Sequence, residues 1–118
     1  MDQFKHLDVK KVGVVTVASF RAQKILDDLI IQQVGEELYR LADSEPGMKL
    51  LVNFSGVAFL SSSVLGKLIS LNKKCKANQG KLKFCEMDPK IYELFTITGL
   101  HKLFSIHPDE LTALQDFY

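Results

Sequence analysis

Ser61, Ser62 and Ser63 put three hydroxyls side by side just ahead of a segment in which Val64, Leu68, Leu71 and Cys75 recur at i, i+4, i+7 and i+11. That spacing predicts a helix with one apolar face, widened by Leu65 and Ile69. Serine is favoured where a helix begins, because its hydroxyl accepts a backbone N–H that has no partner inside the helix. One serine suffices for that. A hydroxyl at a helix start is also suited to carry a phosphate, since the free N–H groups and the macrodipole favour negative charge there. Two chemistries are therefore open to the serines: capping, and accepting a phosphate.

Little else in the sequence points to chemistry. His6, His101 and His107 fall in different predicted elements, and none is expected to lie beside both a carboxylate and a nucleophile, so no catalytic triad is expected. There is no Walker A sequence and no G-x-G-x-x-G, hence no glycine-rich phosphate cradle. The adjacent acids Asp27–Asp28, Glu36–Glu37 and Asp109–Glu110 point in different directions on a helix and read as solvated faces, the last pair suiting a helix start. Cys75 and Cys85 stand in apolar company without C-x-x-C or His-rich spacing, so they read as small core hydrophobes and no metal site is expected. The reading is of a binding protein, not an enzyme, with no cofactor.

Composition narrows the partners. The 118 residues fit one domain, 1–118, with 47% hydrophobic content for a core. The net charge of +1 supplies no overall field toward nucleic acid or membrane. Between residues 67 and 90, seven lysines oppose Glu86 and Asp88, a local excess without arginine that reads as the wet face of one helix and one strand. No run of about 18 apolar residues occurs, and the N-terminus MDQFKHLDVKK has mixed charge, so no membrane span or secretion signal is expected and the expected location is cytoplasmic.

The elements that must position the serines follow from periodicity. Leu50, Leu51 and Val52 are a continuous apolar run, as in a strand covered on both faces. Residues 4–9 and 12–18 read as two antiparallel strands joined at Lys10 and Lys11. Leu26, Ile30, Val34, Leu38 and Leu41 form the stripe of a helix that ends by 44–47, with Gly35 set for a close approach to a neighbour. Residues 81–85 alternate as a strand. Asp88 and Pro89 open a third helix, with Ile91, Leu94 and Phe95 inward, and Gly99 stops it. A short strand is expected at Ser105 and Ile106, then a last helix from Pro108 carrying Leu111, Leu114 and Phe117. Strands alternating with helices predict an α/β fold: a mixed, mostly parallel sheet of four to five strands with about four helices. Phe20, Phe59 and Leu60 should then emerge at the serine end of the sheet, either as an exposed apolar patch or as packing beneath the loop.

The stretch VNFSGVAFLSSSVLGKLISL, with TGLHKLF after the third helix, resembles the STAS domain, the fold of anti-sigma factor antagonists, in which a strand runs into an Asp-Ser-Ser-Gly-Leu-Gly motif and a helix. Ser62, Ser63, Leu65 and Gly66 match; Ser61 replaces the aspartate and Val64 replaces the first glycine. The resemblance covers nearly the whole chain. It implies that Ser62 is the phosphorylated serine, with Ser63 and Ser61 as alternatives, and that Phe20, Phe59, Leu60, Ser61, Ser62, Ser63, Val64 and Lys67 form the partner-binding surface. The implied partner is an anti-sigma factor that is also a serine kinase, whose sequestration frees a sigma factor, with a phosphatase to reset the switch. Two other readings keep the fold: a constitutive interaction module, and a domain binding a small ligand or anionic lipid through the sheet-end pocket and the lysines of 67–83.

Overall fold

A computed structural model describes residues 4–118. Strands β1 (Leu7–Val12) and β2 (Val15–Phe20) form an antiparallel hairpin. The turn falls at Gly13 and Val14, not at Lys10 and Lys11, which are paired strand residues opposite Val17 and Thr16. The reason is local. A two-residue hairpin loop needs positive φ at its first position, and Gly13 supplies it at +61°.

After β3 (Lys24–Ile25) comes α1 (Asp28–Asp43). Asp27 caps it, its Oδ1 accepting from Leu29 N at 3.0 Å and Ile30 N at 3.2 Å. Because the helix starts there, Leu26 lies outside it and is 52% exposed, so the predicted stripe begins one turn too early. Ile31, Val34, Leu38 and Leu41 are the buried face. Then follow β4 (Lys49–Asn53), β5 (Phe59–Leu60), α2 (Ser63–Ala77), β6 (Lys81–Cys85), α3 (Pro89–Ile97), a 3-10 turn (Leu100–Lys102), β7 (Ser105–His107) and α4 (Glu110–Gln115). Asp88 caps α3 through Lys90 N, and Asp109 caps α4 through Thr112 N.

The main sheet has the order β1-β2-β4-β6-β7, with every pairing parallel except β1 with β2. The two-residue strands β3 and β5, which periodicity is too short to reveal, pair with each other in a separate small sheet. Strand β4 sits at the centre, and its apolar run divides between two cores. Leu50 and Val52 face α1, α2 and α3, while Leu51 faces Val15, Val17, Cys85, Ala113 and Phe117 under α4. On α4 itself, Ala113 is buried and Leu111 is exposed, because residues two apart face different sides of a helix, while Leu114 and Phe117 pack on the second core as expected.

The larger core is organised around Phe54, whose ring centroid lies 5.2 Å from Phe20, 5.4 Å from Phe84 and 6.4 Å from Phe95. Offset and edge-on aromatic pairs at such distances add to simple area burial. Gly35 fulfils its expectation: a Cβ there would lie 3.0 Å from Lys67 Cδ, so α1 and α2 meet closely at that point.

Cys75 and Cys85 are both buried and free. Burial, helped by Asp43, pushes the Cys75 thiol up to about 11; burial, helped most by Glu110, pushes Cys85 up to about 12. Two units of pKa cut the thiolate fraction about a hundredfold. At pH 8 the folded protein should therefore react with a thiol-specific dye at least about a hundredfold more slowly than the denatured chain, and two thiols should appear together on unfolding.

Candidate functional site

The chain reaches the serines through a set of backbone bonds. At the end of β4, Asn53 Oδ1 accepts from Ser55 N at 2.7 Å, which turns the chain. Phe54 and Val57 drop into the core, and Gly56 takes a φ of +85° between them. Gln23 O then accepts from both Ala58 N and Phe59 N, β5 pairs with β3, and Ser61 N donates to Ile25 O at 2.9 Å. The segment 23–25 thus holds residues 58–61 in place up to the first serine.

The three hydroxyls have different employment. Ser61 does the capping: its Oγ accepts from Ser63 N at 3.2 Å, and its carbonyl accepts from Val64 N at 3.0 Å. Ser62 already has helical backbone angles (φ −59°, ψ −22°), and its side chain makes no capping bond. Ser62 and Ser63 are exposed, and Ser61 is half-buried. A serine therefore performs at position 61 the capping that an aspartate of the motif would perform. Ser61→Ala should cost about 1 kcal/mol of stability, read as a lowered melting temperature, while Ser62→Ala should be close to neutral.

Of the expected partner-contact residues, the structure exposes Phe59 at 49% and buries Phe20, Leu60 and Val64 at 8%, 8% and 1%. Phe20 packs on Phe54, and Leu60 and Val64 point into the same core, so these three support the loop from below instead of forming its outer surface. Strand alternation explains the division, since adjacent Phe59 and Leu60 in β5 must face opposite ways. Lys67 is half-buried, with its stem across Gly35 and its carbonyl accepting from Tyr39 Oη at 3.3 Å. It belongs to the seam between α1 and α2.

Sequence reasoning missed other exposed residues here. Leu26 follows directly on Ile25, whose carbonyl holds Ser61, and Leu29 lies in the first turn of α1 at 62% exposure. Lys24 sits over the Phe59 ring, Nζ 5.4 Å from its centroid. Asp27 is the signal that could have found the leucines, because an N-cap there places Leu26 before the helix. Gly66 lies exposed one turn beyond Ser62 and Ser63, and a Cβ added there would meet nothing within 4 Å, so this face of α2 is low and open.

The histidines divide. His6 Nε2 bonds Gln33 Oε1 at 2.7 Å and His101 Nδ1 bonds Phe95 O at 3.3 Å, both packing roles. His107 departs from expectation, with Asp116 Oδ2 at 3.0 Å and Ser105 Oγ at 3.2 Å. Alternation puts residues 105 and 107 on one face of β7, and the end of α4 returns to it. Both partners share Nε2, whereas a relay needs the acid on one ring nitrogen and the nucleophile on the other. Lys83 joins the same cluster, 2.8 Å from Asp116, and so leaves the solvated lysine face on which it was expected. This ion pair and His107 hold the Asp116 carboxyl below the usual carboxylate range. The groove at the serine end, about 370 Å³, is lined by Gln23, Phe54, Glu86 and Asp88 among others and contains neither Lys67 nor Lys83. None of the lysines between residues 67 and 83 is among the residues lining this groove. No helix among the described residues is long and apolar enough to cross a membrane.

Similarity to known proteins follows the same lines. An anti-sigma F factor antagonist of Paenibacillus polymyxa is 24% identical over 89 residues, covering 75% of this chain and 73% of the relative. An anti-sigma-B factor antagonist of Listeria monocytogenes is 25% identical over 101 residues, covering 86% and 78%. Among solved structures, an anti-sigma-factor antagonist (STAS) domain protein of Planctomyces limnophilus superposes with a TM-score of 0.82 at 22% identity, covering 93% of this chain and 96% of that one. The unphosphorylated anti-sigma factor antagonist SpoIIAA gives 0.76 at 17% identity, covering 94% and 95%. The model of the STAS domain matches residues 6–113, and the chain belongs to that family.

Proposed function

We propose that the protein is an anti-sigma factor antagonist that works by binding, with Ser62 as its phosphorylation site. The observation that carries this reading is the division of labour among the serines: Ser61 caps α2, which leaves the Ser62 hydroxyl exposed at the helix start with no capping bond to break. The relatives named as antagonists of anti-sigma factors support it, as does a SpoIIAA structure described as phosphorylated, similar in fold with a TM-score of 0.70. Unmodified, the protein binds an anti-sigma factor through Phe59, Leu26, Leu29 and the open start of α2, and a sigma factor is released in the cytoplasm. The bound factor acts as a serine kinase, and phosphate on Ser62 brings about −1.5 to −2 charges into the contact and ends it. A phosphatase restores the binding form.

Phosphopeptide mapping of the protein from its own cells, across growth and stress, tests this. Phosphate on Ser62 that varies with condition is the expected result; phosphate on Ser61 or Ser63 would move the site. Complete absence of phosphate with phosphatases blocked would overturn the switch and leave a constitutive interaction module, the reading favoured by the missing carboxylate at position 61.

A further inference from the structure

Strand β1 lies at one edge of the main sheet. Its hairpin closes at the pair Val12 and Val15, and Arg21 N donates to His6 O at 2.9 Å at the far end. Antiparallel pairs alternate between bonded and non-bonded, so Lys10 and Asp8 turn their backbone groups inward to β2, and Leu7, Val9 and Lys11 turn theirs outward. Among the described residues those outward groups have no partner. Such an edge is a template for another strand.

The side chains say which strand it fits. Asp8 and Lys10 lie on the α4 face, opposite Ser19 and Val17, and flank Val9, which is 38% exposed on the other face. The segment Asp8-Val9-Lys10 reads as its own complement about Val9. An identical strand laid antiparallel with Val9 against Val9 sets Asp8 against Lys10 twice. Moving the centre to residue 8 opposes two aspartates, and moving it to residue 10 or 11 opposes two lysines. Like charges directly across strands are unfavourable and opposite charges favourable, so the register centred on Val9, with aspartate opposite lysine twice, is favoured. Each chain also extends the pattern. Arg21 Nε is 2.9 Å from Asp8 Oδ1, and Lys10 Nζ is 3.1 Å from Glu110 Oε2. Across the junction the order becomes Arg21, Asp8, then Lys10 and Glu110 of the second copy, signs alternating throughout.

We propose that two copies of this chain join through β1, antiparallel and centred on Val9, into one continuous ten-stranded sheet. The two-fold axis then stands perpendicular to the sheet, and the serine ends of the two copies point in opposite directions. Each copy keeps its own partner surface clear, so the dimer carries two switches side by side.

Sedimentation velocity from micromolar to millimolar concentration is the test, with the intact protein moving from 13.3 kDa toward twice that mass. Lys10→Glu and Asp8→Lys should each weaken the dimer by about tenfold or more, because both symmetric contacts become repulsive. The double variant Asp8→Lys with Lys10→Glu should restore it. In that variant the pairs within each chain, with Arg21 and Glu110, turn like-charged, so recovery reports the contact between chains. Val9→Pro removes an outward N–H that β2 does not use and should give a monomer with an unchanged circular dichroism spectrum. A wild-type monomer at every concentration overturns the proposal, as does a dimer untouched by Lys10→Glu and Val9→Pro, or a double variant that stays apart.

Discussion

Ser62→Asp should bind the anti-sigma partner about a hundredfold more weakly than the wild type and fold at least as well. The loss follows from desolvation. A carboxylate brought into a contact made of Phe59, Leu26 and Leu29 loses water, an exposed lysine such as Lys24 over the Phe59 ring offsets only a small part of the several kcal/mol this costs, and every ~1.4 kcal/mol is tenfold in affinity. Folding responds in the opposite direction, because an acid in the first turn of a helix is favourable by about 0.3–1 kcal/mol. Isothermal titration and a thermal melt on the same preparation separate the two effects. Ser62→Ala, which adds no charge, should bind like the wild type. Full affinity in Ser62→Asp would remove the basis of the switch.

Phe54→Ala should destabilise the fold by about 3–5 kcal/mol, a large share of the roughly 5–15 kcal/mol that holds a domain of this size. Phe54 is fully buried, meets three other phenylalanine rings, and belongs to the segment that leads from β4 to the serines. Its neighbours come from β2, β6 and α3, elements fixed by the sheet, so they cannot close over the cavity. The midpoint of urea unfolding should fall with little change in slope. Phe59→Ala is the contrasting variant: half-exposed Phe59 contributes little to that core, so its loss should show in partner binding and leave the midpoint near that of the wild type.

What the sequence makes legible depends on how far each signal reaches. The apolar run at Leu50, Leu51 and Val52 states its own burial on both faces, and the structure places all three at 0% exposure. The i, i+4, i+7 and i+11 series from Val64 to Cys75 gives α2 its inner face. Asp88 with Pro89 marks the start of α3 because cap and first-turn preferences are local. Errors arise where two local signals compete. Gly13 and the lysine pair both suggest a turn, and the need for positive φ decides for the glycine. Leu26 fits the stripe of α1, but Asp27 ends the loop after it. The β3–β5 pair is too short for any periodicity, yet it is what holds the chain at Ser61. The different employment of Ser61 and Ser62 is equally invisible in a run of identical residues, since it depends on the backbone angles at which the chain enters the helix.

Each helix follows a strand, and the starts of α1, α2, α3 and α4 gather at the same end of the molecule. Asp27, Asp88 and Asp109 place a fixed anion at three of them. The exception is α2, which has a serine cap and no acid in its first turn. The unmodified protein therefore leaves one of the four helix starts without a fixed anion, at the position where a partner is proposed to dock. Phosphate on Ser62 would complete the set. On that proposal the modified form would be electrostatically the more regular fold and the binding form the one held a charge short, so a single covalent group would abolish an interface without straining the domain that carries it.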